Sequence, residues 1–295
     1  MLPIHRPALY HSGRAVFLGL IVFIGPHALC SATDAAHAAV PIHLAITLVK
    51  SNPVTTIAVG GRTVQAIVDT GGGALILSKE VLEGAGAVTF GETSGGNDAY
   101  GHEIKAPRYQ VPVVTIGGLT FRNMTALQAQ IPTSGEGPAV QNSIGRQFLS
   151  QYLAVIDYAH LTISLWPPDA KTAASANCGS TRIPMERAED DELVVGEFGS
   201  PSGRLALLLD TGATYSMLKQ KTADKLQLQT TVRGPSSPKF YLSNKLSAAG
   251  HDLGPVEFVI LPLEQPRDVD GMLGANWFAN HVVCISYKLR EIRIR

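Results

Sequence analysis

Apolar residues in this chain come in short runs separated by glycine, proline and polar turns, which predicts strands joined by tight connections. Thr56-Ile57-Ala58-Val59 meets Gly60-Gly61, continues as Thr63-Val64-Gln65-Ala66-Ile67-Val68, and ends on Asp69-Thr70-Gly71. Val113-Val114-Thr115-Ile116, Gly117-Gly118 and Leu119-Thr120-Phe121 give a second hairpin signal. Helical signals are few and short, at residues 78–85, 145–152, 219–226 and 275–280. The turn-rich segment from Phe90 to Tyr100, with Gly91, Gly95 and Gly96, reads as a mobile loop or hairpin tip. The expected fold class is all-β with a few short helices.

The pattern occurs twice. Leu193-Val194-Val195-Gly196-Glu197-Phe198 leads through Gly199-Ser200-Pro201-Ser202-Gly203 to Leu205-Ala206-Leu207-Leu208-Leu209, and again to Asp210-Thr211-Gly212. Downstream, Asn142-Ser143-Ile144-Gly145 parallels Gly271-Met272-Leu273-Gly274. Ala154-Val155-Ile156-Asp157-Tyr158 then parallels Val283-Cys284-Ile285-Ser286-Tyr287. Two homologous halves of about 125 residues follow, divided in the Pro/Ala/Ser-rich stretch 167–176. We expect a leader at 1–38, an N-terminal lobe at 39–168 and a C-terminal lobe at 169–295.

Composition narrows the partners. Lys+Arg and Asp+Glu are both 24, and charged residues make up only 16% of the 295. That balance lacks the basic stripe of a nucleic-acid binder. Arg6 and Arg14 precede the ten-residue apolar run Ala15 to Ile24, and Ala36-His37-Ala38 supplies a small-residue cleavage site. These are the three parts of a secretory signal peptide, and the run is about half the length that spans a bilayer. The expectation is an exported chain, periplasmic or secreted, with no membrane attachment once the leader is removed.

After cleavage at Ala38 the cysteines are Cys178 and Cys284. An exported pair permits one disulfide, while Cys284 in its apolar run also suits a buried thiol. Neither C-x-x-C nor H-E-x-x-H occurs, and His102, His160, His251 and His281 are scattered without ligand spacing, so no metal or cofactor is expected.

The chemistry lies in the two Asp-Thr-Gly triplets. An Asp at the end of an apolar strand carries a desolvation cost, which a second such Asp relieves by sharing its proton. The protonated member can then donate to a carbonyl while the ionised one takes a proton from water. Gly71 and Gly212 allow a sharp bend beneath each carboxylate, and Thr70 and Thr211 carry hydroxyls suited to holding that turn. These residues resemble the aspartic protease superfamily. Asp69-Thr70-Gly71 and Asp210-Thr211-Gly212 match its catalytic triplet, and Ile144-Gly145 and Met272-Leu273-Gly274 match the apolar-apolar-Gly element beneath it. The resemblance spans roughly 42–295 and looks more like retroviral-type domains fused in tandem than like larger pepsins.

It implies a bilobal β fold with peptide in the cleft between lobes, catalytic Asp69 and Asp210, and supporting Thr70, Gly71, Thr211, Gly212, Gly145 and Gly274. It also offers Tyr100 as a flap tyrosine, against a plain reading as a surface loop residue. With both lobes in one chain, a monomer acting on peptide or protein is expected. The first triplet departs from the pattern at Gly72-Gly73, and Ser143 stands where a large apolar residue is usual. These departures keep open an alternative, a weak or inactive protease-like fold that binds peptide or another ligand.

Overall fold

The computed structural model describes residues 21–23, 41–92, 96–98, 105–131, 140–168, 176–186, 195–232, 239–261 and 269–295. It is a two-lobed, strand-rich molecule. The leader reading falls outside these residues except for Ile21–Phe23, which pairs antiparallel with Gly96–Asp98. Among the described residues no helix is long and apolar enough to cross a membrane.

In the N-terminal lobe, Asn52–Val59 and Arg62–Val68 form the expected hairpin. Pro107–Ile116 and Leu119–Gln128 form the second hairpin, longer than its sequence signal. Pairing of Ile57 to Val59 with Val114 to Ile116 closes the sheet on itself. Phe90 to Glu92, read as a loop, instead belongs to strand Val88–Glu92, which lies against Pro107–Ile116 with an irregularity between Thr89 and Gly91. Gly91 there takes φ +137°, the backbone freedom that permits this break.

The C-terminal lobe repeats the plan with Val195–Ser200 paired to Gly203–Leu209. Among the described residues, four short helices fall where the sequence places them, at Lys79–Gly84, Arg146–Leu149, Gln220–Leu226 and Ala275–Phe278. Ser78 caps the first by accepting from the Val81 N–H at 3.4 Å.

A third sheet region joins the lobes. Leu153–Asp157 of the first half pairs antiparallel with Val282–Ser286 of the second. Thr162–Trp166 and Ile42–Ala45 extend it on one side, Glu291–Ile294 and Thr181–Glu186 on the other. Phe148, Trp277 and Phe278 from the short helices fill the core, and Phe278 stacks on Tyr158 of the other lobe at 6.0 Å. The core is therefore continuous across the lobe boundary.

Cys178 and Cys284 are joined by a disulfide. Glu291–Ile294 lies between Thr181–Glu186 and Val282–Ser286, so Cys178 reaches Cys284 over the sheet face, where both pack with Leu153 and Val155.

Candidate active site

Each Asp-Thr-Gly triplet leaves the end of a strand that grows more buried as it runs. Arg62–Val68 and Gly203–Leu209 start exposed and finish on three fully buried residues, because their last turns enter the lobe interface. A short strand slides in parallel beside each: Ser143–Ile144 against Ile67-Val68, and Gly271–Leu273 against Leu207-Leu208-Leu209. The Asp69 N–H donates to the Ile144 carbonyl at 3.0 Å, and the Asp210 N–H to the Leu273 carbonyl at 2.9 Å. Gly145 and Gly274 follow at once, and neither position tolerates a side chain. A Cβ at Gly145 would lie 2.3 Å from the Gly72 carbonyl oxygen, and one at Gly274 would lie 2.5 Å from that of Tyr215. That space lets Arg146 N–H reach the Gly72 carbonyl at 2.7 Å and Ala275 N–H reach that of Ala213 at 2.8 Å. The loops carrying the carboxylates are thus riveted from below in both lobes.

The two threonines hold the opposite lobe, not their own turns. The Thr70 hydroxyl donates to the Leu209 carbonyl at 2.8 Å, and the Thr211 hydroxyl to the Val68 carbonyl at 2.6 Å. Each hydroxyl also accepts from the other threonine's backbone N–H at 3.0 Å. All four bonds are buried, where an unmatched polar group is costly. Gly212 likewise has a different role from the one its sequence suggests. Neither Gly71 nor Gly212 takes a positive φ; instead a Cβ at Gly212 would sit 2.7 Å from the Asp69 carboxyl carbon. The glycine lets the Asp69 carboxyl lie directly on the backbone of the other lobe.

The carboxyls face each other there. Asp69 Oδ1 accepts from the N–H groups of Gly71 at 3.0 Å and Gly72 at 2.8 Å. Asp210 Oδ1 accepts from Gly212 at 2.8 Å and Ala213 at 3.2 Å. Asp69 keeps 9% of its surface exposed and Asp210 none. Burial pushes the Asp210 carboxyl well above the usual range, and the Asp69 charge beside it adds to the rise. Asp69 is also raised by burial, with its hydrogen bond to Asp210 and the Gly72 and Gly71 N–H groups pulling back. Asp210 Oδ2 is buried without a neutral donor, which suits a proton shared within the pair. An acid and a base at one point are what hydration of a carbonyl requires. Among the described residues no group of three His, Cys, Asp or Glu side chains could hold a metal ion.

A family model described as aspartyl protease matches residues 55–148 and again residues 194–277. The chain belongs to the aspartyl protease family. The two matches cover the two lobes separately, one for each carboxylate loop. No curated protein matches the chain.

Several neighbours of this aspartyl protease site escape sequence reasoning. Asn52, at the start of its strand, is buried and donates from Nδ2 to the Thr211 carbonyl at 2.9 Å and the Gly212 carbonyl at 2.7 Å. Its Oδ1 accepts from the Thr214 hydroxyl at 3.1 Å. Tyr158 and Tyr287 hold the same place in the two halves, and their hydroxyls are buried without a partner. Burial raises both phenols, Tyr158 further through the charges of Asp210 and Asp69, so both are neutral donors beside the pair. Asp157 is a turn carboxylate, accepting from the His160 N–H at 3.1 Å. Ser143, the departure from an apolar pair, keeps its hydroxyl buried and unpartnered. Tyr100 lies outside the described residues.

Proposed function

We propose that the chain is an exported aspartic endopeptidase that hydrolyses peptide bonds with a water activated by Asp69 and Asp210. The observation that carries this reading is the buried pair itself: two carboxyls face to face, each held through one oxygen by two backbone N–H groups. Asp69, the more exposed, takes the proton from water; Asp210, the deeper, donates to the substrate carbonyl. The resulting gem-diol collapses as the C–N bond breaks: Asp69 returns its proton to the departing amine, Asp210 takes one back from a diol hydroxyl as the carbonyl reforms, and the pair regains its starting state. Peptide or protein occupies the cleft between the lobes, and the single chain works as a monomer.

The binding-only alternative rested on Gly72-Gly73. Gly72 nonetheless supplies the same N–H to Asp69 that Ala213 supplies to Asp210, at a shorter distance, so the departure gives that alternative no support. Cleavage of a mixed peptide library by mature protein, inhibited by a statine-type transition-state mimic, tests the activity. Binding of the mimic without cleavage of any peptide would overturn it. Export is tested by the mass of the secreted chain, expected to begin at Ala39.

A further inference from the structure

Asn52 is the one residue in the described contacts that spans from the first lobe to the backbone of the second carboxylate loop by its side-chain amide. Its two acceptors are the Thr211 and Gly212 carbonyls. Those carbonyls belong to the same peptide groups whose N–H ends, on Gly212 and Ala213, donate to Asp210 Oδ1. One amide therefore grips, from behind, both peptide groups that hold the carboxyl from in front. A peptide group whose carbonyl accepts a hydrogen bond is polarised and becomes a stronger donor at its N–H, most of all in a low-dielectric interior. The Asn52 amide is itself fixed by the Thr214 hydroxyl on Oδ1, which decides which end of the side chain faces the carbonyls.

The corresponding position of the other half differs in sequence. The repeat offset that carries Asp69 to Asp210 carries Asn52 to Leu193, an apolar side chain that can donate nothing.

We infer that Asn52 is a positioning residue that sharpens Asp210 as the proton donor of the pair, by orienting and polarising the two peptide groups that hold its carboxyl. The inference rests on the reading of Asp69 and Asp210 as a catalytic pair. The titratable groups that interact with Asp210 are Asp69 and the neutral phenol of Tyr158; Tyr287 interacts with Asp69 and with Arg146. Asn52 carries no charge, so its effect runs through the peptide groups alone. Donors that favour ionised Asp210 lower the pH at which it gives up its proton, so losing Asn52 moves the upper limb of the pH profile upward.

The test is Asn52→Leu, which is close in size and copies position 193. We expect kcat to fall about tenfold, the worth of one good hydrogen bond to a charged transition state, with KM little changed. The alkaline limb of kcat should move up by roughly one pH unit, and the acid limb much less. Thr214→Val, which leaves Asn52 in place but frees its amide, should give a smaller shift in the same direction. A loss of thermal stability with an unmoved alkaline limb in both variants would overturn the inference, as would a rise in KM at constant kcat. Carboxyl-carbon NMR titration of the pair, read on wild type and both variants, supplies the same shift without turnover and covers an Asn52→Leu that folds poorly. Asp69→Asn and Asp210→Asn separate the two readings. If these retain turnover, the catalytic pair is wrong; if they abolish it while Asn52→Leu leaves the titration unmoved, only the role of Asn52 fails.

Discussion

The two lobes share one skeleton and treat their carboxyls differently. In each, a buried strand delivers an Asp, a short parallel strand pins its backbone, and a glycine lets a helix N–H reach the loop. The contrast is in what surrounds this frame. Asp69 has a bare Gly72 beside it, two short N–H bonds and some exposure; Asp210 has Ala213, one longer bond, no exposure and an amide from the opposite lobe. A scaffold with near twofold symmetry thus presents two chemically unequal acids, which is what a reaction needing one donor and one acceptor calls for.

The strongest way to probe the contrast is to remove each carboxyl in turn. Asp69→Asn and Asp210→Asn should each lower kcat by about 10²–10⁴-fold, the typical worth of general acid–base catalysis. The double variant should be little worse than either, because donor and acceptor work as a unit. Near-wild-type turnover in one single variant would show that the asymmetry extends to dispensability and would dismantle the pair.

Next in size is the disulfide, a tie found in the second lobe. It closes a loop of sequence separation 106, for which chain entropy predicts a stabilisation of about 4–5 kcal/mol. Cys178→Ala with Cys284→Ala should therefore lower the denaturant midpoint strongly, and reducing the wild type should match it. Equal midpoints for oxidised and reduced protein would mean that packing against Leu153 and Val155 holds this edge by itself.

The threonines test the symmetric part. Thr70→Val and Thr211→Val each strip one carbonyl of its donor and one buried N–H of its acceptor. Each should cost about 1–3 kcal/mol, the two costs should agree, and the double variant should cost less than their sum. Unequal costs in urea melts would show that the interface is less symmetric than its bonds.

The pair also leaves a pH signature on stability. Burial raises both carboxyls above their unfolded value of 3.8, so above that value the native state binds more protons than the unfolded chain. Their contribution is complete below about pH 3.8 and is lost as pH rises through the folded values. Asp210→Asn is neutral throughout, so its stability relative to wild type should improve steadily from acid toward neutral pH. Parallel melting curves across that range would contradict the assigned direction.

The smallest effect concerns the residue next to each carboxyl. A Cβ at Gly72 would stand 2.7 Å from Asp69 Oδ2, so Gly72→Ala must displace that oxygen and should lower kcat about tenfold. Ala213→Gly, which moves the second lobe toward the first, should change kcat by less than about threefold.

Much of this was legible in the sequence because it is local and repeated. The hairpins, the short helices and both triplets announce themselves through short-range spacing, and the repeat implies that two carboxylate loops meet. What stayed hidden spans the chain. Asn52 sits before Pro53, a dipeptide that reads as a turn, and its acceptors lie 159 and 160 residues away. The hydroxyls of Tyr158 and Tyr287 read as the polar ends of strand residues until the lobes close over them. Gly91 hid a strand, because a break in pairing and a loop share the same residue. Thr70 and Thr211 were picked out as useful, but their spacing says nothing of whose backbone they hold.

The reciprocal threonine bonds have a consequence for how such a molecule can change over time. In an assembly of two identical chains, every substitution lands twice, and both active-site halves alter together. Fusing the halves lets each substitution land once, so one half can drift while its twin stands still. Thr70 and Thr211 are exempt from that freedom: each is hydrogen-bonded to the other's strand and backbone, so altering either disturbs both halves at a stroke. Divergence is thereby channelled away from the threonines, to positions such as 72 and 213, where each residue's N–H serves the carboxyl of its own lobe. The axis stays twofold while the rim is free to specialise.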